Sequence, residues 1–147
     1  MSMKLLDIAP NARVAFQGEP GSFSQQAERK IFGSGIEPMT CYSFEDVFHA
    51  VVRGVAECGV IPIENTLAGS IYQNYDLLAR HPLEIVGETS LRVAHNLIVH
   101  PGAGLRQLKQ VYSHPAALDQ CKRMLRRLKT VQKVPFYDTA GSVKYIR

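Results

Sequence analysis

Apolar and polar positions follow two different periods along this chain, and the switches between them mark its elements. Residues 13–17 set three apolar side chains between polar ends and predict a short strand. The Gly-Glu-Pro-Gly-Ser run at 18–22 reads as a turn. Phe23, Ala27 and Ile31 then recur every four residues, a helical stripe, with Ser22 or its neighbour able to cap its start and Gly33 placed where a helix stops. Residues 36–43 are weakly extended. Ser43 with Asp46 three later has the form of a capping box, opening a helix whose Phe44, Val47, Phe48, Val51, Val52 and Val55 form one stripe. Residues 58–63 predict a buried strand that stops on Glu64, Asn65 and Thr66. Behind them Leu67, Ala68 and Gly69 turn into a helix over 71–80 that Ser70 would cap.

The pattern then changes. Residues 83–100 are mostly extended, with Gly87 as a break, and 101–110 reads as a loop with a short helix. A strand at 111–113, a long helix over 114–128, a strand over 131–138 and the start of a helix at 139 complete the chain. Regular alternation of strand and helix predicts an α/β protein with mainly parallel sheets. The long extended piece is expected to cross between two lobes, with residues 87–89 as hinge. The expected organisation is an N-terminal tail at 1–12, a first lobe at 13–86 and a second lobe at 87–147.

Composition narrows the function classes. The 147 residues are 46% hydrophobic and 20% charged, within the range of globular domains and able to bury a core. No apolar run reaches membrane-spanning length, and the N-terminus lacks the pattern of a secretory signal. Cys41, Cys58 and Cys121 are odd in number and scattered, which argues against a disulfide framework and for a cytoplasmic location. The five histidines lack ligand spacing, so no metal site is expected. The net charge of +4 suits an anionic small substrate as well as nucleic acid. The densest basic stretch, 121–129, is a helix face with no interleaved aromatics, which disfavours nucleic acid.

Four strand ends carry polar or glycine-rich sequence: 17–24 after the first strand, 64–66 after the third, Ser113 and His114, and Asp138 with Thr139 and Gly141. In open parallel α/β sheets, ligands bind beyond the carboxyl ends of the strands. Each tip also opens a helix, whose free N–H groups favour carboxylates and phosphates. Taken singly, Ser22, Ser24, Ser70 and Ser113 read as plain caps. Together, on two facing lobes, the tips would form a cleft for a small dianion. The dinucleotide, Walker and nucleophile-elbow patterns are all absent.

Four stretches occur in order: VAFQGEPGSFSQQA, GVIPIENTLAGSI, YSHPAALDQC and YDTAGSV. Together they resemble the prephenate dehydratases and the related arogenate dehydratases, over nearly the whole chain from Arg13. The resemblance implies a two-lobed fold like that of type II periplasmic binding proteins. It implies loss of water and carbon dioxide from prephenate to give phenylpyruvate, on the route to phenylalanine, without a cofactor. Carried over by position, the catalytic candidates are Glu64, Asn65, Thr66, Ser113, Gln120, Asp138 and Thr139. The substrate-binding candidates are Gly21, Ser22, Phe23, Ser24, Gly69 and His114. Glu64 and Asp138 are both open as proton donor, and either needs a raised pKa for it. Asn65, Gln120 and the hydroxyls supply hydrogen bonds.

The family's Thr-Arg-Phe motif does not occur in the sequence, and the chain stops at Arg147 inside a helix. The chain is therefore expected to be the N-terminal part of a dehydratase, with an incomplete second lobe, no phenylalanine-binding ACT domain and little activity alone. The alternatives are an arogenate dehydratase or a non-catalytic module binding a small aromatic acid. The expected partner is the small-molecule substrate, with neither nucleic acid nor membrane. The apolar surface left by an unfinished lobe favours a homo-oligomer.

Overall fold

The computed structural model describes residues 8–67 and 69–147. Residues 1–7 of the expected tail, and Ala68 of the turn motif, lie outside them. The chain forms two compact units, Met1–Arg92 and Val93–Arg147.

In unit 1, β1 (Arg13–Gln17) is the central strand of a parallel sheet in the order β2-β1-β3, with β2 at Glu37–Cys41 and β3 at Cys58–Val60. Successive strand side chains point to opposite faces, and here both faces are covered. Val14 and Phe16 join Val60 beneath Ala27 and Phe32 of α1 (Phe23–Phe32). Ala15 joins Cys41 beneath Val47 and Ala50 of α2 (Phe44–Val52). Hence Val14, Ala15 and Phe16 are all fully buried. The chain moves from β1 to one side through α1 and then crosses to the other side through α2. The strand order therefore reverses beside β1, and the carboxyl ends of β1 and β3 flank that point.

Local signals act as expected where their partners are three or four residues away. Ser22 Oγ accepts from the Gln25 N–H, and Gly33, at φ +78°, ends α1. Ser43 and Asp46 form the reciprocal capping box of α2. The strand expected over 58–63 pairs only to Val60. Pro62 has no N–H to give a ladder, and the chain turns instead into a small antiparallel hairpin, β4 (Glu64–Asn65) with β5 (Gly69–Ser70). Ser70 is consequently a hairpin residue and not a cap. Ile71 opens α3 (Tyr72–Arg80) without a side-chain cap.

In unit 2, β6 (Gln110–Ser113) and β7 (Gln132–Pro135) pair in parallel, and Ser113 lies opposite Pro135. The long helix expected over 114–128 divides at Cys121 (φ −89°, ψ 2°) into α4 (Pro115–Gln120) and α5 (Lys122–Leu125). A short 3-10 turn occupies Leu105–Gln107, and α6 spans Thr139–Tyr145. Tyr112, Phe136 and Tyr145 pack ring on ring, with centroids 5.1 Å apart for Tyr112–Tyr145 and Phe136–Tyr145. Among the described residues, Ala117 and Leu125 are the buried hydrophobic side chains of this unit, while unit 1 holds twelve. Residues 83–100 join no sheet.

Candidate functional site

In unit 1 the turn after β1 and the tip after β3 leave the same edge of the sheet, because the two strands are parallel neighbours. The turn is held from within α1. Gly21, at φ +90°, donates its N–H to Gln25 Oε1 (2.8 Å), and Ser22 Oγ accepts from Gln25 N–H (3.3 Å). Ser22 is buried and occupied as a cap, Phe23 and Ser24 are half-buried, and Gly21 is exposed. The turn thus offers a rigid backbone more than a free hydroxyl.

At the second tip, Glu64 and Thr66 are exposed and Asn65 is half-buried. Asn65 Oδ1 accepts from Leu67 N–H (2.9 Å), which bends the chain after the motif. Gly69, at φ +87°, pairs with Asn65 across the hairpin and takes a conformation that suits glycine. The tip is tied to α3 twice: Ile71 N–H donates to the Ile63 carbonyl (2.9 Å), and Asn74 Nδ2 donates to the Pro62 carbonyl (2.7 Å).

In unit 2 Ser113 ends β6, and Asp138 follows β7 by three residues at the same sheet end. His114 Nδ1 accepts from Ala116 N–H (3.2 Å) and caps α4. Asp138 Oδ1 accepts from Gly141 N–H (2.7 Å), and its carbonyl takes the Ser142 hydroxyl (2.7 Å), so Asp138 fixes the start of α6 with Thr139 as the first helical residue. Gly141 belongs there sterically: a Cβ would stand 2.7 Å from the Tyr137 ring. Ser113, His114, Asp138 and Thr139 are gathered at one end. Gln120 is not among them. It ends α4, roughly 9 Å further along the helix axis than His114, and pairs with His95 Nε2 at 2.8 Å.

Sequence patterning misses several polar residues that shape these sites. Gln25, Glu28 and Ile31 are the buried positions of α1, so polar residues share the stripe that periodicity assigns to apolar ones. Glu28 is fully buried, and among the described residues neither carboxylate oxygen has a hydrogen-bond partner. Burial pushes its carboxyl from 4.5 up to about 7, with the Arg29 charge opposing. Asn74 is also fully buried, and its Oδ1 has no partner among the described residues. Burial, then a neighbouring acid, raises the thiols of Cys41 (Asp46) and Cys58 (Glu57), which makes both poor nucleophiles at neutral pH. Among the described residues, no group of three His, Cys, Asp or Glu side chains could hold a metal ion. No helix there is long and apolar enough to cross a membrane.

Both units are α/β with parallel strands and carry polar residues at their strand ends, the edge at which open parallel α/β sheets hold ligands. The comparisons specify the family. The prephenate dehydratase family model matches residues 14–147. The Arabidopsis thaliana arogenate dehydratase/prephenate dehydratase 2, chloroplastic, is 45% identical over 91% of this chain and 35% of its own. Among solved structures, GqqA, described as a novel type of quorum-quenching acylase, is 34% identical with a TM-score of 0.79, over 91% of this chain and 48% of its own. The Staphylococcus aureus prephenate dehydratase is 25% identical with a TM-score of 0.76, over 92% and 51%. The chain belongs to the prephenate dehydratase family. It spans about a third of the length of the curated relatives it matches, at 34% and 35% for two of them.

Proposed function

We propose that the chain binds prephenate or arogenate and contributes the strand-tip groups of a decarboxylative dehydration on the route to phenylalanine. The observation that carries this reading is the match over residues 14–147, which includes every candidate tip. In the reaction the bond to the ring carboxylate breaks and carbon dioxide leaves. The electron pair enters the ring, and the hydroxyl departs as water with an added proton. Glu64, exposed to water at one tip, and Asp138, bound to Gly141 at the other, are the candidate proton sources. Asn65 and Thr66 in unit 1, and Ser113 and Thr139 in unit 2, are the candidate hydrogen-bonding groups of their own tips; Gln120, paired with His95, stands apart from them. In unit 1 the backbone of residues 21–24 and Gly69, and in unit 2 His114, are the candidate contacts for a substrate carboxylate. No cofactor enters this scheme.

A cytoplasmic location and a homo-oligomeric state belong to the same proposal. The three cysteines are free, and unit 2 leaves Tyr145 (61%) and Leu105 (60%) exposed. A second reading, acylase chemistry, is favoured by the 34% identity to GqqA. The test measures binding and turnover separately: calorimetry with prephenate and with arogenate, then phenylpyruvate release, arogenate loss and hydrolysis of an N-acyl amide at neutral pH. Binding of prephenate or arogenate with loss of carbon dioxide supports the dehydratase reading. Binding without turnover supports the binding step of the proposal and assigns the chemistry to more than this chain supplies alone. Amide hydrolysis without binding of either acid would replace the reading with the second.

A further inference from the structure

The backbone of residues 61–63 has left the sheet, so its carbonyls need donors from elsewhere. Two consecutive ones find them at the start of α3: Ile63 O accepts from the Ile71 N–H, and Pro62 O accepts from the Asn74 side chain. The first bond is backbone to backbone, next to the Glu64–Ser70 pair of the hairpin. The second depends on one side chain, which lies at the third residue of α3 and has no exposed surface. A carbonyl only accepts, so the amide must turn its NH2 to Pro62. That leaves Oδ1 on the far side, where it has no partner among the described residues. An apolar side chain of the same size would remove that unpaired oxygen but would also strip the Pro62 carbonyl of its donor. What asparagine supplies at this point is the donor that fixes the Pro62 carbonyl two residues before Glu64.

We propose that Asn74 is a positioning residue for the candidate site: its amide sets where Glu64, Asn65 and Thr66 leave β3. Its catalytic consequence rests on the function proposed above; its effect on the tip does not. The requirement is for a donor, not for bulk or polarity. Asn74→Leu keeps the size and deletes the donor. Asn74→Asp keeps the shape and supplies a donor only while its carboxyl is protonated.

Hydrogen exchange reads this directly. The Leu67 and Ile71 amides, bonded to Asn65 Oδ1 and Ile63 O, report on the tip. The Val14 and Phe16 amides of the central strand report on the unit as a whole. In Asn74→Leu, protection at Leu67 and Ile71 is expected to fall about tenfold, the equivalent of ~1.4 kcal/mol, while the β1 amides keep theirs. In Asn74→Asp, compared with itself between pH 5 and pH 9, tip protection is expected to match the wild type at the acid end. It should be lost as the carboxyl ionises, above the usual carboxylate range of about 4. That variant decides the matter if Asn74→Leu does not fold. Tip protection independent of pH in Asn74→Asp, or loss shared equally by β1, would overturn the proposal and make Asn74 an ordinary core residue. Where the wild type turns over prephenate, both kcat and kcat/KM should fall together in Asn74→Leu with KM kept. A wild type that neither binds nor turns over either acid removes the proposed function, and the exchange result still stands or falls alone.

Discussion

Glu28 makes unit 1 less stable as the pH rises from 4.5 to about 7, and the size of the effect follows from its surroundings. Its side chain is wholly buried on α1 and has no partner for either oxygen among the described residues. Burial raises the folded carboxyl to about 7 from an ordinary value of 4.5. Below 4.5 both folded and unfolded chains hold the proton, and the group imposes no penalty. Between 4.5 and 7 the unfolded chain releases its proton while the folded chain keeps it, so stability falls with pH. Above 7 the loss is complete, at about 3 kcal/mol from the separation of the two values. That is a large share of the ~5–15 kcal/mol typical of a whole domain. Glu28→Gln removes the charge and keeps the shape. Its amide carries the same unpaired polarity as the protonated acid, so the two proteins should be equally stable near pH 4.5. At pH 8 the variant should be more stable by about 3 kcal/mol, a rise of the order of 10 °C or more in the melting temperature of a unit this size. Urea denaturation of both proteins at half-unit steps from pH 4.5 to 8 measures the difference, and other carboxylates cancel in the subtraction. A difference that stays constant over that range would show that Glu28 finds a partner or water in the folded protein, and the reasoning would fail.

Gly59→Ala should destabilise unit 1 by about 1–3 kcal/mol by chemical denaturation, because the new methyl would stand 2.7 Å from Val47 Cγ1 in a packed sheet–helix contact. Ser43→Ala should cost about 1 kcal/mol through loss of the α2 cap. It should also weaken the acid dependence of stability, since the Ser43 hydrogen bonds hold the Asp46 carboxyl below its ordinary 3.8; the stability they lend is present above that value and is lost as the pH falls through the lowered one. Amides of β6 and β7 should exchange faster than those of β1, because among the described residues unit 2 buries only Ala117 and Leu125 as hydrophobic side chains; equal protection would show that its core is completed in solution. Light scattering on the same sample should then give a mass above 16.3 kDa.

What the sequence determined by itself is what depends on near neighbours. The Ser22 cap, the Ser43–Asp46 box, the Gly33 stop and the Asp138 cap each join groups three or four residues apart, and the alternation of elements gives the α/β class. Pro62 could have been weighed as the end of β3, since a missing N–H is visible in the residue itself. The tertiary structure alone decided the rest. The order β2-β1-β3, which sets the turn at 18–22 beside the tip at 64–66, depends on which side of β1 each crossover takes. The β4–β5 hairpin moved Ser70 from a helix cap to a ladder residue, since a partner across a turn outweighed the local pattern. Gln120 meets His95 from 25 residues away, and Asn74 meets Pro62 from 12. Glu28 is a surface residue by composition and a buried one by packing, because helical periodicity marks a face without saying how much of it the sheet will cover. Contacts of this kind are fixed by the closing of the whole unit, and a linear pattern carries no record of them.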